Sequence, residues 1–256
     1  MNTVSRPRRL PTKLLIALAA LLVGGIINNA QAGESGTPAS QPGIRIVLVG
    51  DSTVNDGGGW GVGFKKMLKP GVEVINWAQN GRSSRSFIDE GWWAKALADK
   101  PNYVLIQFGH NDQPGKGPKR ETDPATTYPQ YLVQYIDDSR AIGAKPILVT
   151  SMTRRLFGSD GKIHSNLIEY VEAAKKVAAE RKTPLIDLHQ KSIELLDEIG
   201  PKAAEEFDHQ NAPKPGKPAD TKRDRTHLSP KGSEVMGKLV AEELKKVAPE
   251  LAAYIK

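Results

Sequence analysis

Five short apolar runs recur along this 256-residue chain, separated by stretches with helical character, and that alternation restricts the fold more than any other feature. The runs are 44–49, 72–77, 103–108, 146–150 and 184–188. They are near-continuous apolar runs, which suits strands covered on both faces. Between them, residues 130–142 carry apolar side chains at helical spacing. Leu167, Val171, Ala174 and Ala178 form one helical stripe, and 192–199 is a shorter helical candidate. Ser229 followed by Pro230 reads as the start of a last helix that turns Val235, Leu239 and Leu244 toward the core. Strands alternating with helices predict an α/β fold, a three-layer α/β/α sandwich on a parallel sheet. The polar segments 115–127 and 211–223 read as surface loops.

The N-terminus has the pattern of an export signal. Arg6, Arg8, Arg9 and Lys13 precede an apolar run over 14–27, and Ala30-Gln31-Ala32 fits a small-x-small cleavage site. The expected organisation is a signal peptide at 1–32, a flexible Gly/Ser/Pro linker at 33–43 and one domain at 44–256. This implies a secreted or periplasmic protein without stable membrane insertion once the leader is cut. The apolar run falls short of the roughly 18 residues of a spanning helix, although an uncleaved anchor is the other reading of the same segment.

Charge bears on partners. The whole chain has 36 basic and 29 acidic residues; without the four leader cations it carries about three net positive charges. No basic stripe with interleaved aromatics occurs, so nucleic acid is not an expected partner. The absence of cysteine excludes disulfides, thiolate catalysis and cysteine-ligated zinc. The histidines fit no metal-ligand spacing, and no cofactor or metal is expected.

Four blocks carry candidate chemistry. Gly50-Asp51-Ser52-Thr53 follows the first strand, on the side where open α/β sheets bind ligands; the same residues also suit an ordinary turn or cap. After the second strand, 76–84 contains Gly81, whose N–H no side chain shields, in an Asn-Gly pair that also favours a tight turn. After the third strand, Gly109-His110-Asn111-Asp112 supplies an amide, or simply a polar loop that satisfies its own backbone. Asp224-Arg225-Thr226-His227 precedes the last helix, so that one turn could supply a base and the carboxylate that orients it, or only a surface charge at a helix start.

In this order the blocks resemble the SGNH (GDSL-type) hydrolase superfamily over nearly the whole chain after the leader. The Gly-Asp-Ser-Thr, Asn-Gly-Arg-Ser-Ser, Phe-Gly-His-Asn-Asp and Asp-x-Thr-His stretches are most similar to rhamnogalacturonan acetylesterases, carbohydrate esterase family 12. The resemblance implies a flavodoxin-like five-stranded sheet of order 2-1-3-4-5. It further implies Ser52 as nucleophile, His227 as base, Asp224 as its orienting acid, and an oxyanion hole from the N–H groups of Ser52 and Gly81 with the Asn111 amide. The expected function is removal of O-acetyl groups from a polysaccharide, a pectic one first, by a monomeric enzyme. The alternatives are a lipid or thioester acylhydrolase of the same superfamily and a non-catalytic carbohydrate-binding protein.

Further candidates rest on residue type. Arg154 and Arg155, after the fourth strand, could pair with a uronate carboxylate, or serve solubility. Trp60, Trp92 and Trp93 could stack on sugar rings or pack the core. His110 and Asp112 are expected to shape their loop, and the glycine-rich run 57–63 to form a flexible rim beside Ser52. No Gly-x-Ser-x-Gly elbow occurs, against the α/β-hydrolase fold.

Overall fold

The computed structural model describes residues 43–210 and 223–256. The leader and nearly all of both the linker and the 211–223 loop lie outside the described residues. All five expected strands form, as β1 (Ile44–Gly50), β2 (Val72–Asn76), β3 (Tyr103–Gln107), β4 (Lys145–Val149) and β5 (Leu185–Ile186). They pair in parallel in the order β2-β1-β3-β4-β5.

Alternation along the central strands divides the core in two. Ile46 and Leu48 of β1, Leu105 of β3 and Ile147 of β4 face one layer. Val47, Val49, Val104, Ile106 and Leu148 face the other. Because both faces are covered, each strand reads as a continuous apolar run. Burying one such side chain fully is worth about 1.5–3 kcal/mol. The first layer is completed by α1 (Gly61–Lys66), α6 (Leu188–Ala204) and α7 (Pro230–Val247). The second is completed by α2 (Ser84–Asp89), α3 (Trp92–Ala98), α4 (Thr127–Ala141) and α5 (Ile168–Glu180).

The long helices follow the sequence expectation, with two adjustments. The 192–199 candidate is the middle of α6, which breaks at Gly200 (φ +75°) just before Pro201. Pro lacks an N–H and tolerates only the start of a helical segment. In α7, Ser229 accepts the Gly232 N–H as expected, but the buried stripe centres on Met236, Val240 and Leu244, with Val235 and Leu239 flanking it. Helices α1, α2 and α3 have six or seven residues each, too few turns for a periodic signal.

Two features place the site. Helix α1 crosses α7 so closely that a Cβ on Gly63 would lie 1.9 Å from the Ser233 carbonyl oxygen. Ser233 Oγ also donates to the Gly59 carbonyl, 2.7 Å away, which ties the start of α7 to the loop after β1. In addition, Asp224–Leu228 is not the turn expected from sequence but a strand, β7. It pairs antiparallel with a two-residue strand, β6 (Asp208–His209). A partner this short and this distant in sequence leaves no local pattern to read. Among the described residues no helix is long and apolar enough to cross a membrane.

Candidate active site

Ser52 sits where β1 ends, and its turn is held from beneath. Val54 and Asn55 donate their N–H groups to the Asp51 carbonyl, both at 3.1 Å. The buried Asp51 Oδ1 accepts the Thr53 N–H at 2.8 Å and Thr53 Oγ1 at 2.6 Å. Thr53 Oγ1 in turn accepts from Gln107 Nε2 at 2.7 Å, and Gln107 Oε1 accepts the Trp60 indole N–H at 2.8 Å. Trp60 is therefore not a sugar platform. It is fully buried, edge-on to Phe64, and ends this network. An indole carries a large apolar body and one donor, so an interior site with one acceptor suits it.

Ser52 Oγ lies 2.8 Å from His227 Nε2, and His227 Nδ1 lies 2.7 Å from Asp224 Oδ2. The carboxylate only accepts, so Nδ1 carries the proton and Nε2 is free to accept from Ser52. Asp224 Oδ1 meanwhile accepts the N–H groups of Thr226 and His227 at 2.9 and 3.0 Å. Burial pushes the Asp224 carboxyl up, but these donors outweigh it and hold it below the usual carboxylate value.

The cleft above this relay has a volume of about 390 Å³ and is also lined by Gly81 and Asn111. Gly81 has φ +76°, a conformation that glycine adopts without the Cβ penalty. Asn111 donates to the Arg82 carbonyl at 3.2 Å, which orients its amide. Among the described residues, neither the Ser52 N–H nor the Gly81 N–H has an acceptor. Three donors thus border the rim beside the serine hydroxyl, an arrangement able to stabilise an oxyanion.

The loop bearing Asn111 rests on buried ionisable groups. Asp112 accepts from the Ser84 N–H, Ser84 Oγ and Thr122 Oγ1. Burial outweighs these donors and lifts its carboxyl to about 7. Asp51 is likewise raised by burial, and burial holds His110 well below its usual value. Their nearest atoms, Asp51 Oδ2 and His110 Nδ1, lie 3.8 Å apart. His110 and Asp112 are both buried, which fits the loop-shaping role expected of them.

Neither arginine lines the cleft. Arg154 is engaged by Gln113 Oε1 at 2.9 Å, Asn166 Oδ1 at 2.7 Å and, more loosely, the His110 carbonyl. Arg155 is 2% exposed and pairs with Asp208 Oδ1 at 2.6 Å. It also donates to the carbonyls of Asp224 and His227. Its guanidinium fork clamps β6 and β7 together, which takes it out of reach of a substrate carboxylate. Arg155→Ala should therefore cost on the order of 3–5 kcal/mol, because Asp208 would keep only the half-exposed Arg223, 3.9 Å away, and the carbonyls of Asp224 and His227 would lose their donor. Urea unfolding measures this, and a loss below about 1 kcal/mol would mean the clamp is dispensable.

Trp93 is buried and donates to Asp138, and Trp92 donates to Glu90, so neither faces the cleft. Gly57 and Gly58 do border the cleft, but as a pinned rim rather than a flexible one. Gly59 N–H donates to Asn55 O at 2.8 Å, and Leu228 N–H donates to Gly58 O at 2.8 Å. Sequence reasoning missed His209, which lines the cleft from β6. Only its strand pairing brings it there, so no spacing in the chain could have singled it out. Among the described residues no group of three His, Cys, Asp or Glu is arranged to hold a metal.

Known proteins resemble this chain in sequence and in fold. The profile of the GDSL-like Lipase/Acylhydrolase family matches residues 48–235. Rhamnogalacturonan acetylesterase RhgT of Bacillus subtilis is 37% identical over 229 residues, covering 83% of this chain and 94% of that protein. Probable rhamnogalacturonan acetylesterase YesY of the same organism is 35% identical, covering 82% and 97%. Among solved structures, protein YXIM from Bacillus subtilis superimposes with a TM-score of 0.67 at 27% identity, over 80% of this chain and 56% of that one. The profile match begins in β1 and ends in α7, spanning every block that converges on Ser52, and on this ground the chain belongs to the GDSL-like lipase/acylhydrolase family.

Proposed function

We propose that this protein is an exported serine esterase that removes O-acetyl groups from a polysaccharide, with pectic rhamnogalacturonan as the first candidate. The observation that carries the reading is the relay from Ser52 through His227 to Asp224, at 2.8 and 2.7 Å. Ser52 Oγ attacks the ester carbonyl while its proton passes to His227 Nε2. The N–H groups of Ser52 and Gly81 and the Asn111 amide take the oxyanion; one such donor typically contributes about 2.7–4 kcal/mol. Collapse expels the sugar hydroxyl, which receives the proton from His227. Water then attacks the acetyl-Ser52 ester by the same path, releasing acetate and restoring the serine. The route needs no cofactor and one subunit.

The leader pattern of residues 1–32 supports export. The names of RhgT and YesY support an acetylated rhamnogalacturonan as substrate. No residue lining the cleft is a large apolar side chain, which favours a short acyl group over a lipid chain. Nitrophenyl acetate should be preferred to nitrophenyl octanoate by about tenfold or more in kcat/KM. The reverse preference would replace the acetylesterase reading with a lipase. Acetate release from acetylated rhamnogalacturonan, set beside acetylated xylan, tests the polymer.

A further inference from the structure

One histidine of the cleft takes no part in the relay. His209 closes β6 and lines the same cleft as Ser52 and His227, with its ring centre 6.3 Å from that of His227. Its Nδ1 lies 3.2 Å from the Leu228 carbonyl oxygen. A carbonyl only accepts, so Nδ1 carries the proton, and in the neutral form of the ring Nε2 presents a lone pair. The strand that carries His227 thus also sets the tautomer of His209. The Ser52 and Gly81 N–H groups and the Asn111 amide are donors suited to an acyl oxygen. His209 is of the opposite kind: in its neutral form Nε2 is an acceptor, which a hydroxyl of the substrate can supply with a donor.

His209 also stands at a junction. A second cavity of about 170 Å³ meets the cleft at Gly57, Gly58 and His209. Beyond that point it is bordered by Val62, Leu228 and Pro230. A mixed wall of this kind, apolar surface with a few placed polar groups, suits a sugar ring, whose C–H faces pack while its hydroxyls seek partners.

We propose that His209 is a specificity residue: its Nε2 accepts a hydrogen bond from a free hydroxyl of the sugar that bears the acetyl group, and the adjoining cavity receives the next sugar of the chain. The inference rests on the polysaccharide esterase reading above and deepens it. A sugar hydroxyl next to the ester supplies the donor, which nitrophenyl acetate lacks. The bond therefore contributes to discrimination between the two substrates rather than to the chemical step they share.

The test compares the full-length protein with His209→Ala and His209→Gln on an acetylated oligosaccharide and on nitrophenyl acetate. The readout is the ratio of kcat/KM for the two substrates. In His209→Ala the ratio should fall about tenfold, the loss residing in KM for the oligosaccharide. His209→Gln, whose amide oxygen can accept, should recover part of it. A ratio unchanged in the alanine variant, or equal losses on both substrates in both variants, would overturn the role of His209 while leaving the esterase reading intact. A wild-type protein that hydrolyses nitrophenyl acetate but releases no acetate from any carbohydrate would overturn the polysaccharide reading and this inference together.

Discussion

Ser52→Ala should lower turnover on nitrophenyl acetate by at least about 10³-fold and leave the fold intact. The hydroxyl donates one hydrogen bond, to His227 Nε2, and no other group of the network beneath the turn depends on it. Asp51, Thr53, Gln107 and Trp60 would keep their contacts, so circular dichroism and the melting temperature should hardly move. The remaining donors of the cleft explain why activity should not vanish altogether: oriented N–H groups still stabilise the charge when water attacks a bound ester. A Ser52→Ala protein of ordinary activity would remove the residue from the mechanism, whatever its distance from the imidazole.

Asp224→Asn should be about as damaging, on the order of 10⁴-fold by comparison with the same change in serine-protease triads. The reason lies in which oxygen does what. Asp224 Oδ1 accepts two backbone N–H groups of its own strand, and Oδ2 faces His227 Nδ1. In asparagine the amide oxygen would keep the backbone contacts and the amide nitrogen would face the ring. Two donors cannot face each other, so the imidazole would move its proton to Nε2 and could no longer take one from Ser52. The local strand would survive while the tautomer inverts. The same kinetic assay checks this. Activity within tenfold of wild type would show that the orientation of His227 is set by something other than this carboxylate.

Much of this architecture was legible along the chain. The five β runs were legible from apolar continuity together with their shortness and β-branched content, the marks of strands buried on both faces. The cap at Ser229 and Pro230 was equally plain, since its chemistry is complete within four residues. The blocks around Ser52, Gly81, Asn111 and His227 were each ambiguous alone, and their order supplied the resemblance to a known superfamily.

The structure departs from the sequence expectation in backbone at 224–228, a strand where a turn is expected, and elsewhere in side chains whose partners are remote. For Trp60, Arg154 and Arg155, residue type and position along the chain leave substrate contact and a structural role both open. The direction a side chain takes there depends on partners far off in sequence. Gln107 claims the indole of Trp60, Asn166 and Gln113 claim Arg154, and Asp208 claims Arg155. His209 shows the converse, a residue with nothing in its neighbourhood to mark it, carried into the cleft by a two-residue strand.

Local pattern, then, settled the five parallel strands and the long helices, whose periodicities of two and of 3.6 residues fit within a short window, but not the shortest helices or the β6–β7 pair. Convergence belonged to folding. Parallel pairing at the centre of the sheet sets the ends of β1 and β3 side by side, and the crossing of α1 on α7 brings the segment around His227 back over Ser52. Contacts between residues 175 positions apart are decided by packing, and packing is written in no single stretch of the chain.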